Sequence, residues 1–374
     1  MGIAVVATAA LWFFVVRSDE SGDSGGDESS SAPASPVSGL VGELSTEELV
    51  DQVLLLGFDG TDASAPFLSQ VSERQLGGVM VGPQNWPDAS TGTALVDAIR
   101  RAGREGGRIP PLLVTAQEGG VYRALADLPP EQTELEIGDG GSAAEAGRWA
   151  HDTCRALAGA GFDLNLAPVA DVATLDSAIA DRAFSDDPAV AAQMTAASVA
   201  GCQDAGVAPA PLHFPGLGAA SQDTSQGPAT VSLDPETLSS RDLEAFRAAF
   251  DEGAPAVVLS LAFYVAYDSV TPGALAEPVA TGLLRDDLGF TGVAITDDLG
   301  SGAVRSSDSV PKAAVEALAA GSDLIQIGSA SDQAGVREAI LKAVEEGELD
   351  EARLAEAAGR VIELKRAEGL IDLP

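Results

Sequence analysis

Cations are scarce in this 374-residue chain: 21 Lys and Arg stand against 57 Asp and Glu, for a net charge of −36. A nucleic-acid binder is excluded on that ground, because there is little positive charge to neutralise phosphates. The excess acid reads instead as a solvated surface, which high ambient salt would make easier to tolerate. Only two cysteines (Cys154 and Cys202) and two histidines (His151 and His213) occur, and they form no zinc constellation of familiar spacing. Both cysteines fall in predicted helices, where a bridge and a pair of buried thiols are equally open readings, since spacing does not give the distance between α-carbons. A Gly-rich loop after the first strand is missing, which removes the signature of a doubly wound dinucleotide fold. No short repeat appears, so a solenoid is excluded as well.

What is present begins with an apolar run, "IAVVATAALWFFVV", from Ile3 to Val16, followed by Arg17 and then acids. Fourteen residues is short for a spanning helix and closer to the apolar region of a secretion signal. Residues 1–17 are therefore expected to be a signal anchor or signal-peptide region, with export and membrane tethering through this segment. Residues 18–40, rich in Ser, Gly, Asp and Pro, read as a disordered linker.

From residue 41 to 374 short apolar runs alternate with amphipathic helical stretches. The runs lie near residues 53, 78, 112, 163, 208, 256, 292 and 322, for example "VLLLGF", "PLLVTA" and "GVAIT". Eight buried strands separated by helices predict an α/β fold of the (β/α)8 barrel type. Ser45 and Glu48 make a capping box that starts one of the helices. With 45% hydrophobic residues the chain can bury one barrel-sized core. In such a barrel the reacting groups project from the carboxyl ends of the strands. The polar clusters fall there: "QEGG" after the third strand, "ADV" and "ADRAF" after the fourth, "HFPGLG" after the fifth and "TDDLG" after the seventh.

Two adjacent acids, Asp297 and Asp298, end the seventh strand, and alternation of side chains lets at most one look into the mouth. The "HFPGLG" turn combines a rigid backbone with His213 as a polar ligand. In this order and on these strands, "QEGG" (117–120), "NLAPVADV" (165–172), "ADRAFSDDP" (180–188), "HFPGLG", "LRDDLGFTGVAITDDL" (284–299) and "ALAAGSDLIQIG" (317–328) resemble glycoside hydrolase family 3. The likeness is to its single-barrel bacterial β-N-acetylglucosaminidases. That resemblance implies a retaining mechanism without metal or organic cofactor, acting on a carbohydrate of the peptidoglycan type or another β-N-acetylhexosaminide. It makes Asp297 the nucleophile and Asp298 structural, and Arg182 and His213 sugar ligands.

The resemblance also exposes departures. The position that carries the family's general-acid histidine, two residues after Asp223, is Ser225, and a serine cannot supply that proton. Ala116, Val121, Leu212 and Leu217 stand where polar or charged family residues are usual. Asp223 is then the candidate substitute acid, on condition that a dry setting raises its pKa. Glu118 is a weaker candidate, and Arg123 is a candidate replacement for a lost sugar-binding arginine. Two readings follow: a β-N-acetylhexosaminidase of impaired or altered activity, and a catalytically inactive barrel that binds glycan or an envelope protein. A mouth filled by Leu212, Leu217 and Val121 is the expectation of the second.

Overall fold

The computed structural model describes residues 36–62, 65–105 and 109–373. The apolar run at 3–16 and most of the expected linker lie outside the described residues. The end of that linker is corrected, because a helix spans Pro36–Val41 and its Val37 packs with Ile109 and Ile362. Among the described residues no helix is long and apolar enough to cross a membrane.

Among the described residues eleven strands follow in chain order. They are β1 (Leu54–Leu56), β2 (Gly78–Met80), β3 (Leu112–Thr115), β4 (Leu164–Asn165), β5 (Ala208–Pro209), β6 (Thr230–Val231), β7 (Ala256–Leu259), β8 (Phe263–Tyr264), β9 (Asp268–Pro272), β10 (Val293–Thr296) and β11 (Ile325–Ile327). A parallel ladder runs β11-β1-β2-β3-β4-β5, and a second pairs β7 with β10. Phe214, just past β5, joins the two: its N–H donates to Val258 O and its carbonyl accepts from Ser260 N, both at 2.8 Å. At the other seam Thr296 N donates to Leu324 O at 3.0 Å. The ring is therefore closed, and its eight strands coincide with the eight apolar runs.

The parity of each strand sorts its side chains into two separate cores. Leu55, Leu112, Val114, Leu164, Ala208, Val258, Val293 and Ile295 belong to one cluster, the barrel lumen. Their neighbours Leu54, Leu56, Leu113, Val257, Leu259, Ala294 and Ile325 belong to the other, between the barrel and its helices. Predominantly apolar runs are what burial on both faces demands.

Buried charge closes the floor. Asp323, fully buried just before β11, takes ion pairs from Arg285 (2.6 Å), Arg353 (2.7 Å) and Arg360 (3.0 Å) and accepts the Ala294 N–H. Lys365, also buried, donates to Gln52 Oε1 and Leu76 O, each at 2.8 Å. Val361 and Leu364 on the same helix, Glu351–Ala367, enter the lumen cluster. The last helix thus plugs the amino end and leaves the carboxyl end free for chemistry.

Two features refine the expectations. The run at 256 is not one strand: β7 stops at Leu259, the Ser260 Oγ accepts the Ala262 N–H, and β8 starts a small sheet ordered β6-β8-β9. Between the helices Ala143–Gly159 and Pro188–Asp204 the two cysteines form a disulfide, with α-carbons 5.1 Å apart, which settles the alternative left open by spacing. The Ser45–Glu48 capping box is present on both sides, at 2.9 and 3.3 Å. Because the bridge closes 48 residues of chain, the Cys154→Ala/Cys202→Ala double variant should lose ~2–4 kcal/mol of stability. Denaturant unfolding measures this, and an unchanged midpoint would refute it.

Candidate active site

The mouth is assembled from four connections on the carboxyl side of the barrel. After β3, Gln117 is wholly engaged in holding its own loop: Nε2 donates to the carbonyls of Leu125, Leu128 and Pro129, and Oε1 accepts Leu125 N. That anchoring presents the next residue, Glu118. After β4 come Asp171 and a 3-10 turn, Ala180–Arg182. After β5 comes His213, followed by the loop with Asp223 and Ser225, and after β10 comes Asp297.

Arg182 sits at the centre. It donates Nε and Nη2 to the two carboxylate oxygens of Glu118, both at 2.8 Å, in a bidentate pair. Nη2 is also 3.3 Å from His213 Nε2, Nη1 is 3.8 Å from Asp223 Oδ2, and the guanidinium lies 5.6 Å from the centre of the Tyr122 ring. Tyr122 in turn donates its hydroxyl to Asp181 at 2.9 Å. Burial opposes the Arg182 charge, but Glu118, with Asp223 and Asp171 further off, overrides it and holds the proton more firmly than on a free guanidinium.

His213 is clamped from the other side. Asp171, fully buried, accepts from His213 Nδ1 at 2.7 Å and from Leu217 N at 2.6 Å. With Nδ1 donating to Asp171, Nε2 is the ring nitrogen that faces Arg182. Burial alone would lower the His213 pKa; the Asp171 carboxylate, helped by Asp297, makes the net direction upward. The turn that carries His213 needs its glycines. Gly216 has φ +128°, and a Cβ on Gly218 would collide with the Val172 carbonyl.

Asp297 ends β10, where its N–H donates to Leu259 O at 3.0 Å and its Oδ1 accepts Asp298 N at 2.8 Å. Desolvation raises its pKa against the opposing influence of His213, the Asp298 N–H and Arg182. Asp298 has the structural part expected of it: Oδ1 accepts Gly300 N at 2.9 Å and Gly328 N at 3.0 Å, tying the exits of β10 and β11.

Three expectations need correction. Asp223 was to become an acid by a raised pKa, but its net shift is downward. Burial pushes it up, and the Ser225 hydrogen bonds, including Ser225 N to Oδ1 at 2.8 Å, together with Arg182 and His213, more than cancel that. Arg123 does not reach the cluster, because Nε donates to Gly120 O at 2.8 Å and Nη1 to Leu128 O at 3.3 Å. Nor does Val121 fill the mouth: it is 83% exposed. Leu212 and Leu217 are buried in the lumen cluster, with Ala116 packed against it.

Reading along the sequence also missed partners that only the fold brings near. Asp171 lies in the quoted "NLAPVADV" stretch but carries no local sign that it holds His213. Glu134 is buried and accepts Val169 N with both oxygens, at 3.0 and 3.1 Å. Burial lifts its pKa well above 4.5 despite that N–H. Nothing in "EQTELEIG" marks it.

The chain and its barrel match known proteins. The profile described as "Glycosyl hydrolase family 3 N terminal domain" covers residues 45–364. The chain belongs to glycosyl hydrolase family 3. It is 34% identical over 291 residues to a "Beta-hexosaminidase" of Stenotrophomonas maltophilia (strain K279a), covering 74% of this chain and 83% of that one. Among solved structures, a family 3 β-N-acetylglucosaminidase from Paenibacillus sp. str. FPU-7 superposes with a TM-score of 0.83 at 29% identity, over 88% of this chain and 65% of that one. A β-N-acetylhexosaminidase from Beutenbergia cavernae DSM 12333 does so with 0.79 at 29% identity, over 87% and 99%. The chain thus spans just under two thirds of the Paenibacillus protein and nearly all of the Beutenbergia one. Among the described residues no group of three or more His, Cys, Asp or Glu side chains is arranged to hold a metal ion.

Glu134 yields a test of the family 3 frame. A carboxyl whose folded pKa is raised binds its proton more tightly folded than unfolded, so its contribution to stability falls as pH rises above the unfolded value. Glu134→Gln keeps an acceptor for Val169 N–H and removes the charge, and should therefore suppress that part of the stability loss above about pH 4.5. Glu134→Ala leaves the N–H unpaired and should cost about 1–3 kcal/mol. Unfolding curves between pH 4 and 8 compare the three proteins; parallel pH dependence of the wild type and the Gln variant would count against the assignment.

Proposed function

We propose that this family 3 barrel is a retaining β-hexosaminidase-like hydrolase of terminal β-linked N-acetylhexosamine, with cell-wall glycan as the substrate type. Asp297 is its nucleophile, and the departing group leaves without a proton from the protein. The observation that carries this reading is the asymmetry of the site. Asp297 lies within electrostatic reach of His213 and Arg182, whereas the place of the general acid is taken by Ser225, whose hydrogen bonds hold the Asp223 pKa down. The named activities of the Stenotrophomonas and Beutenbergia relatives support the sugar class.

The first half-reaction is an attack by the Asp297 carboxylate on the anomeric carbon, and it demands that Asp297 be ionised. A positioned general acid contributes ~10²- to 10⁴-fold, a factor that grows with the basicity of the leaving oxygen. An alkoxide leaves slowly without that help, while an acidic phenol does not need it. The apolar segment at residues 3–16 supports export and tethering to a membrane.

A second reading, an inactive glycan- or protein-binding barrel, is favoured by a different observation. Ala116 and Leu212 sit with the lumen's apolar cluster where the resemblance puts sugar ligands. Turnover separates the two. β-N-Acetylhexosaminides with activated aryl leaving groups should react ~10²–10⁴ times faster than disaccharides, and Asp297→Asn should abolish both. No reaction above that variant anywhere in the series would leave the binding reading in possession.

Restoring the acid is the converse experiment. Ser225→His should raise kcat/KM for the disaccharide by at least about tenfold, and at most by the ~10⁴ of a positioned acid, with little change for activated aryl substrates. An equal effect on both classes would show that proton donation is not what the site lacks.

A further inference from the structure

The His213 turn is gripped from behind as well as by Asp171. Pairing between the exits of β4 and β5 reaches Ala170 N, which donates to Leu212 O at 2.7 Å. Beyond that bond the two segments must still meet accurately, because the 2.7 Å contact between His213 Nδ1 and Asp171 runs from one to the other. Two consecutive residues, at the junction of the helices Pro235–Arg241 and Leu243–Asp251, hold one segment each. Arg241 Nη2 donates to the carbonyl of Val172, the residue after Asp171. Asp242 packs against Gly216 so closely that a Cβ on that glycine would collide with its side chain. Gly216 N donates to the His213 carbonyl at 2.8 Å, and the Gly216 carbonyl accepts the hydroxyl of the buried Tyr264 at 3.1 Å. The two grips are locked together, since Arg241 Nη1 donates to both Asp242 oxygens, at 3.0 and 2.9 Å.

We propose that Arg241 and Asp242 are positioning residues for His213: as a pair they set the Asp171 segment against the His213 turn and so aim the imidazole into the mouth. Both act through backbone, at Val172 on one side and Gly216 on the other. Asp242 is fully buried and Arg241 largely so. An ion pair taken out of water returns little net stability compared with apolar side chains of the same volume, so orientation is what such a pair supplies. The guanidinium is a rigid fork, which holds a carboxylate with one nitrogen and a carbonyl with the other; a point-like ammonium cannot fix both. Burial pushes the Asp242 carboxyl up to about 7 against the pull of Arg241, and Asp171 adds to that rise. The effect on turnover rests on the hydrolase reading, in which His213 is a sugar ligand, whereas the aiming of the ring does not.

Two readouts keep these apart. The chain has only two histidines, so isotope labelling of histidine nitrogens resolves the His213 Nδ1 proton by NMR against the half-exposed His151. Its exchange with solvent is followed at about pH 8, where Asp242 is ionised, in the wild type, Asp242→Asn and Arg241→Lys, each below its melting transition. Arg241→Lys keeps the charge and loses the fork, so an effect there is one of position, and this variant decides alone if Asp242→Asn does not fold. Each substitution should speed exchange about tenfold and lower kcat/KM for an activated aryl β-N-acetylhexosaminide about tenfold. In an Asp171→Asn background, where the ring has already lost its acceptor carboxylate, neither should speed exchange further. Unchanged exchange in Arg241→Lys overturns the proposal. So does acceleration that persists in full in the Asp171→Asn background, which marks a general loosening, and so does faster exchange with kcat/KM unmoved. If exchange responds as expected while no protein of the series, wild type included, turns over the aryl substrate, the aiming of His213 stands and the hydrolase reading falls.

Discussion

One guanidinium holds the mouth together. Arg182 is pinned by Glu118 from the β3 connection, touches His213 at the exit of β5 and comes within 3.8 Å of Asp223. Three connections that share no sequence neighbourhood are fixed by it, and a bidentate pair gives orientation as well as attraction. The consequence for chemistry is double-edged. The loops are preorganised, yet the arginine's strongest donors already have a carboxylate, so a sugar hydroxyl must compete with Glu118 for them.

Burial and hydrogen bonding give two aspartates near that arginine opposite fates. Asp297 lies where burial outweighs its neighbours, and its pKa rises. Asp223 lies where the Ser225 hydrogen bonds and Arg182 outweigh burial, and its pKa falls. A site that worked in both directions would have a carboxylate facing a protonated donor. This one has two carboxylates, which suits attack and water activation but not departure of a basic oxygen.

Much of this could be read along the chain, and the rest has a physical reason for being hidden. The eight barrel strands announce themselves because burial on two faces favours apolar residues for several positions in a row. β6 and β8 do not, since they lie inside a barrel connection and carry no such run of their own. The helix at Pro36–Val41 sits inside a stretch of linker composition and is held by Val37 meeting Ile109 and Ile362, a contact across the whole chain. His213, Arg182 and Asp297 stood out through the segments that resemble family 3. The pairing of Arg182 with Glu118, 64 residues away, did not. The same holds for the buried Glu134 and the bridge from Cys154 to Cys202, since distances in space set all three.

The floor of the barrel has a consequence for how the molecule meets others. Arg285, Arg353 and Arg360 converge on the buried Asp323, Lys365 is buried beneath the lumen, and Arg182 is held at the mouth. Five of an already small stock of cations thereby face inward. Buried carboxylates accompany them, among them Asp171, Glu134, Asp163 and Asp242, so the interior holds charge of both signs and the acidic excess of the chain is carried largely outside. Two copies approaching in dilute buffer repel from nearly every direction, which disfavours self-association and keeps the protein dispersed as a colloid. Mobile cations gather around such a shell and screen it within about a nanometre at physiological salt.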